Sequence, residues 1–136
     1  MKKYTIFLCL LIGLSMIVLL ASCKTTANIS VDEENSWFSD YKVEDDKVYI
    51  NCHIILKNTY DLEKTVNLSA RLPEDAANGL LKHEIIKAFN EDGTQATFVL
   101  PPNASKSFDV VFVGEFAGNN QKHDRLLPEI LIDIVE

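Results

Sequence analysis

Residues 47–57, KVYINCHIILK, alternate without interruption: Val48, Ile50, Cys52, Ile54 and Leu56 fall on one side, and Tyr49, Asn51, His53, Ile55 and Lys57 on the other. A helical face would bring apolar residues back every three to four positions, so a period of two sustained over this length commits the chain to a long strand with one buried face. The pattern then repeats. NTYD at 58–61 is a turn by composition, and KTVNLSARL at 64–72 turns Val66, Leu68, Ala70 and Leu72 inward until Pro73, which cannot donate to a sheet ladder, closes it. An antiparallel pair follows from the two runs.

Further runs continue the theme. QATFVL places Ala96, Phe98 and Leu100 on one face, KSFDVVFVGEF places Phe108, Val110 and Phe112, and PEILIDIV places Ile130, Ile132 and Ile134. PEDAANGL at 73–80 reads as one helical turn, with a proline and two acids at its front and Gly79 behind it. LLKHEIIKAFN, residues 80–90, fits either period over 81–89; its β-rich surroundings and the NEDG turn at 90–93 favour a strand. Counting WFSDYKV ahead of the first alternating run, about seven short strands separated by turn signals predict an all-β fold, an antiparallel β-sandwich. Its expected core is Trp37, Val48, Ile50, Cys52, Ile54, Leu56, Val66, Leu68, Leu72, Phe98, Leu100, Phe108, Val110, Phe112, Ile130, Ile132 and Ile134.

Ahead of this domain the chain changes character. Lys2 and Lys3 precede a stretch from Tyr4 to Cys23 with no charged residue, followed by Lys24. Basic start, apolar middle and small residues before a cut are the layout of an export signal, while the length of the run also matches a membrane span. The end of the run separates the two. LASC, residues 20–23, resembles the lipobox of bacterial lipoproteins: Leu20, Ala21 and Ser22 before the cysteine that such proteins require. That resemblance implies cleavage between Ser22 and Cys23 and a diacylglycerol thioether on Cys23, with the membrane as the partner of the lipid. Two acyl chains anchor stably where one binds marginally. It also implies a location on the cell membrane or outer membrane, with the domain outside the cytoplasm. Lys24 stands where an inner-membrane retention aspartate would sit in some two-membrane bacteria.

On this reading residues 1–22 are a leader, 23–36 a lipidated cysteine and flexible tether, and 37–136 the β-sandwich domain. The tether, KTTANISVDEENS after Cys23, has a root-mean-square reach of roughly 20 Å if unstructured. Loss of Lys2 and Lys3 leaves 11 basic against 20 acidic residues, a net charge of −9. Such a surface repels nucleic acid and anionic headgroups and favours a basic or neutral protein or peptide partner. Cys52 is the sole thiol left once Cys9 departs and Cys23 is acylated, so no internal disulfide can form.

The order of the strands resembles the small immunoglobulin-like domains of bacterial surface lipoproteins. The likeness spans residues 41–135 and rests on the long alternating strand, on LKNTYDLE as strand and turn, and on FVLPPNASKSFDVVF as strand, turn and strand. It implies an immunoglobulin-like architecture, which hosts adhesion, binding and structural roles alike.

Chemistry is sparse. His53, His83 and His123 are far apart in sequence, and HExxH, CxxC, GxSxG and a glycine-rich phosphate loop are absent, so the sequence suggests no enzyme, metal or cofactor. The candidate partner surface is the long connection at 114–128, GEFAGNNQKHDRLLP, carrying Phe116, Asn119, Asn120, Lys122, His123, Asp124 and Arg125; long loops on sandwiches often carry binding. A solvated crossover with Arg125 paired to a nearby acid is the other reading of that segment. The outward apolar set Ile55, Val111, Val113, Leu131 and Val135 is expected either to pack beneath a loop or to face a protein partner. The leading functional expectation is a non-enzymatic binding module tethered in the cell envelope, and the alternative is an accessory lipoprotein that binds a small ligand or metal ion.

Overall fold

A computed structural model describes residues 26–120 and 124–135. The lipobox, with Ser22 and Cys23, lies outside the described residues, as do Lys122 and His123.

The fold is all-β and antiparallel, and the described residues form eight strands and one short helix: β1 Ile29–Val31, β2 Trp37–Glu44, β3 Lys47–Asn58, β4 Lys64–Arg71, α1 Pro73–Ala77, β5 Ile85–Ala88, β6 Thr97–Leu100, β7 Ala104–Glu115 and β8 Glu129–Val135. β3 and β7 pair along their full lengths, from Lys47 opposite Glu115 to Asn58 opposite Ala104. β1 and β2 follow one another along the other edge of β3. β5 bridges β7 to β4, β6 extends the same edge of β4, and β8 covers the opposite edge. The sheet thus wraps into a barrel-like sandwich that stays unpaired between β2 and β8.

Alternation sets the burial. Val48, Ile50, Ile54 and Leu56 on β3, Val66, Leu68 and Ala70 on β4, and Phe112 on β7 are fully buried. Each large side chain withdrawn from water contributes about 1.5–3 kcal/mol. The β2–β3 connection is a two-residue hairpin in which Asp45 and Asp46 both take positive φ, as a turn matched to strand twist requires. Glycine is required at Gly114, where a Cβ would come within 2.6 Å of both Ile86 and Leu81.

Several expectations change. Strand β1 lies inside the segment read as a tether, and Ser36 is buried, its hydroxyl donating to the Asp32 carbonyl and accepting from the Ile55 amide. The folded part of the described residues therefore reaches back at least to Asn28, whose amide donates to the Thr59 hydroxyl at 2.7 Å and whose carbonyl accepts from the Thr59 amide at 2.9 Å. Segment 81–89 does form a strand, but only over Ile85–Ala88, with Ile86 and Ala88 buried and Ile85 outward. Ile134, placed in the expected core, is exposed, and Phe108, Ile130 and Ile132 are only partly buried. Those isoleucines sit on an edge strand paired with β4 alone among the described residues, and Ile130 and Ile132 still pack against the core. Leu80, Leu81, Ile86, Ala88 and Ala96 join the core instead.

Trp37 is the largest departure. It is 53% exposed. Trp37 shares parity with Tyr41 and Val43, both of which pack against the core, but a β-bulge between Phe38 and Asp40 shifts the register. One extra residue inverts the faces upstream of it, so Phe38 turns in and Trp37 turns out.

The two ends of the barrel differ. At one end lie the start of β1, the turn at 59–63, the turn at 101–103 and the end of β8. Buried Asn58 ties this end together: its Nδ2 donates to the carbonyls of Leu62, Leu100 and Pro101 at 3.0, 3.3 and 3.0 Å, and its Oδ1 accepts from the Tyr60 amide at 2.9 Å. At the opposite end lie α1 and both ends of the 114–128 crossover.

Candidate functional site

The crossover is held down at several points. The Phe116 amide donates to the Asp46 carbonyl, and Phe116, half-buried, bridges to Leu81. Asn119 fastens onto the C-terminal end of α1, its amide donating to the Gly79 carbonyl at 3.0 Å and its Nδ2 to the Asn78 carbonyl at 2.7 Å. Asn120 Oδ1 accepts from the Tyr41 hydroxyl at 2.9 Å. Asp124 is exposed.

Arg125 is not on the surface, which corrects its place in the expected partner-facing set. Its side chain is 4% exposed, its Nη2 donates to Asp75 Oδ1 at 3.0 Å, and its guanidinium lies 3.9 Å from the centre of the Tyr41 ring. The pairing of Arg125 with an acid is the reading the structure supports. Asp75 is itself buried within α1, so the helical turn that sequence marks at 73–80, formed over Pro73–Ala77, presents a carboxylate inward. Nε and Nη1 of Arg125 find no hydrogen-bond acceptor among the described residues. A buried pair of this kind is a weak source of net stability but is expensive to break. It acts as a latch that returns the crossover to β8.

Beside the latch lies a groove of about 670 Å³, between the 31–38 segment on one side and 125–130 on the other. It follows the unpaired seam between β2 and β8. Val31, Phe38, Leu127 and Ile130 line it, and Trp37 and Leu126, 53% and 87% exposed, stand at its edge. Trp37 is held in place rather than loose: its ring stacks on His53 at 4.2 Å and 19°, and His53 Nδ1 is 2.7 Å from Asp109 Oδ1. Glu33, exposed, joins the lining, with Glu34 next to it in the turn. In the same turn the Asp32 carboxylate accepts from Asn35 Nδ2 at 3.1 and 2.9 Å.

A second concavity, about 760 Å³, lies on the outer face of β3 and β7 under the hairpin at 89–93. Val111 and Val113 form part of its apolar lining with Tyr49 and Phe89, which places these two members of the outward apolar set partly under a loop. Lys42 and Lys47 stand among its polar residues with Glu91 and Asp92. The Thr94 hydroxyl and amide hold the Asp92 carboxyl below its ordinary range, and the Lys42 ammonium does the same for Glu44.

Burial pushes the Cys52 thiol up to about 12, so at neutral pH it is a small apolar side chain and not a nucleophile. No group of three or more His, Cys, Asp and Glu placed to hold a metal occurs among the described residues. Trp37, Leu126 and Glu33 escaped the sequence-based site. The strongest signal for them was the Leu126-Leu127-Pro128 run after Arg125, of which Leu126 alone is exposed; Trp37 had none, because the bulge that turns it outward has no composition signature.

No family model, no curated protein and no solved structure matches this chain.

Proposed function

We propose that the chain is a membrane-anchored, non-enzymatic surface lipoprotein whose immunoglobulin-like domain binds a protein partner in the cell envelope. The lipobox at residues 20–23 supports the anchor, on the cell membrane or outer membrane. The observation that carries the binding role is Trp37, exposed yet held by stacking on His53 at the edge of an apolar groove. Exposed aromatics fixed before a partner arrives lose little freedom on binding, which is the property of interface hot spots. Only residues 24–28 separate Cys23 from β1, a reach of at most about 20 Å. That favours an orientation with the Asn58 end toward the membrane and the 114–128 crossover away from it. The acidic surface argues against nucleic acid as a partner.

The test has two arms. Cys23→Ala in the full chain is expected to move the protein from the membrane to the soluble fraction; continued membrane retention removes the lipid anchor from the proposal. Crosslinking of the full chain in native membranes is expected to capture a partner that a Trp37→Ala variant fails to capture, and equal capture by both removes Trp37 from the interface.

A second reading, an accessory lipoprotein for a small ligand, draws on the concavity under the 89–93 hairpin, where cationic and anionic side chains border an apolar floor. Saturable binding of a small zwitterion that Tyr49→Ala abolishes would support it.

A further inference from the structure

We infer that the groove between β2 and β8 receives an extended peptide segment of a partner protein, apolar with lysine or arginine flanks. The inference rests on the binding-module reading above and names the class of partner.

The first reason is the backbone. Among the described residues β2 pairs only with β3 and β8 only with β4, so each offers an unpaired strand edge toward the seam. Exposed edges are ordinarily paired, covered or blunted. An extended chain lying in the seam supplies N–H and C=O groups to such an edge, while alternate side chains enter whatever pockets lie beside it.

The second reason is the lining. Val31, Phe38, Leu127 and Ile130 give an apolar interior, and Trp37 and Leu126 are left in water at its border. Two large apolar side chains left in water at the border of one apolar groove are the composition of a surface that a partner covers.

The third reason is charge. Within the lining, Arg125 is neutralised by Asp75 at 3.0 Å and Glu129 by Arg71 at 2.9 Å. Glu33, with Glu34 beside it, remains as the exposed excess, on a chain of net charge −7. A second copy of the chain, or an anionic lipid surface, brings like charge to that border; a basic peptide brings the opposite charge, speeds encounter and sets register.

Trp37 is the chain's one tryptophan, so its emission reports on the groove alone. The experiment uses the full chain in phosphatidylcholine nanodiscs, titrated with a capped peptide of alternating lysine and valine and with its glutamate–valine counterpart. The lysine–valine peptide is expected to shift Trp37 emission to the blue and saturate, with affinity falling as salt rises, while the glutamate–valine peptide leaves emission unchanged. Leu126→Asp, and Glu33→Lys with Glu34→Lys, are each expected to weaken binding about tenfold or more. These side chains are exposed, so unchanged circular dichroism and melting confirm that the variants are folded.

No saturable shift with either peptide, an equal response to both, or undiminished affinity in Leu126→Asp would overturn the inference. So would a dimer in sedimentation that Leu126→Asp dissociates, because the groove is then an interface between copies. If Leu126→Asp still captures the native-membrane partner, the binding-module reading stands and the groove proposal falls.

Discussion

The β3–β7 pair and the seam between β2 and β8 are built from similar sequence and end in opposite states. KVYINCHIILKN on β3 and EILIDIV on β8 are both isoleucine-rich and alternating, yet β3 buries every second residue while β8 is half-buried at best and exposed over its last three residues. The difference is what stands across from them. β3 has a strand on both edges and its inward side chains lie in the common core, so they are enclosed. β8 is paired on one edge only, and the seam beyond it is closed at one side by the approach of β1 and at the other by the Arg125–Asp75–Tyr41 latch. Alternation makes a strand amphipathic; only neighbours decide whether the apolar face is dry.

This contrast is open to attack by substitution. The largest effect is expected at Phe112, fully buried on β7: Phe112→Ala should cost about 3–5 kcal/mol in denaturant unfolding, while Ile134→Ala on the seam strand should cost under about 1 kcal/mol. Comparable losses at the two sites would mean that the seam is as closed as the β3–β7 side.

Next comes the latch. Asp75→Ala leaves the Arg125 guanidinium buried with a lost carboxylate, and a loss of about 3–5 kcal/mol is expected, much of it recovered when Arg125 is also replaced by methionine. Simple additivity in that double-mutant cycle would show that the two residues do not act as a pair.

At the other end of the barrel, Asn58→Leu removes four hydrogen bonds at one buried side chain and strands the carbonyls it serves. A loss of about 1–3 kcal/mol is expected by thermal or chemical unfolding, and a neutral outcome would show that the turn at 59–63 is held by backbone alone.

Cys52 sharpens the comparison through pH. Burial raises its folded thiol from 9.0 to about 12, so the folded state holds the proton more tightly than the unfolded one. The contribution is fully present below pH 9 and is lost as pH rises from about 9 towards 12. Wild type should therefore lose melting temperature more steeply than Cys52→Ala over that window, and parallel curves would contradict a dry β3 face.

The smallest effect belongs to the exposed Lys42–Glu44 pair. Its side-chain hydrogen bond raises the Lys42 pKa and lowers that of Glu44, but water surrounds both groups. Lys42→Ala is expected to leave the melting temperature unchanged, since such pairs are screened and entropically costly to hold.

Much of this arrangement was legible in order of residues. Period-two alternation marked β3, β4, β6 and β7, the proline and two acids marked α1, and Asn-Thr-Tyr-Asp marked the turn. Of the expected partner surface, the sequence supplied the segment but not its geometry: Asn119 and Asn120 serve as fasteners, Arg125 turns inward, and the exposed Leu126 and Trp37 lie beside them. The acid that Arg125 meets is fifty positions away, a separation over which sequence pattern carries no pairing information.

What sequence alone determined about this protein is local: which segments extend, where they turn, and that the chain has an acidic balance. The tertiary structure decided which faces are dry. A single bulged residue between Phe38 and Asp40 reverses Trp37 from core to solvent, a three-residue strand draws part of the presumed tether into the sheet, and the seam stays unpaired because the crossover returns β8 to the far edge of β4. Each of these depends on register and on contacts distant along the chain, and a side-chain period of two carries no record of which strand will stand opposite.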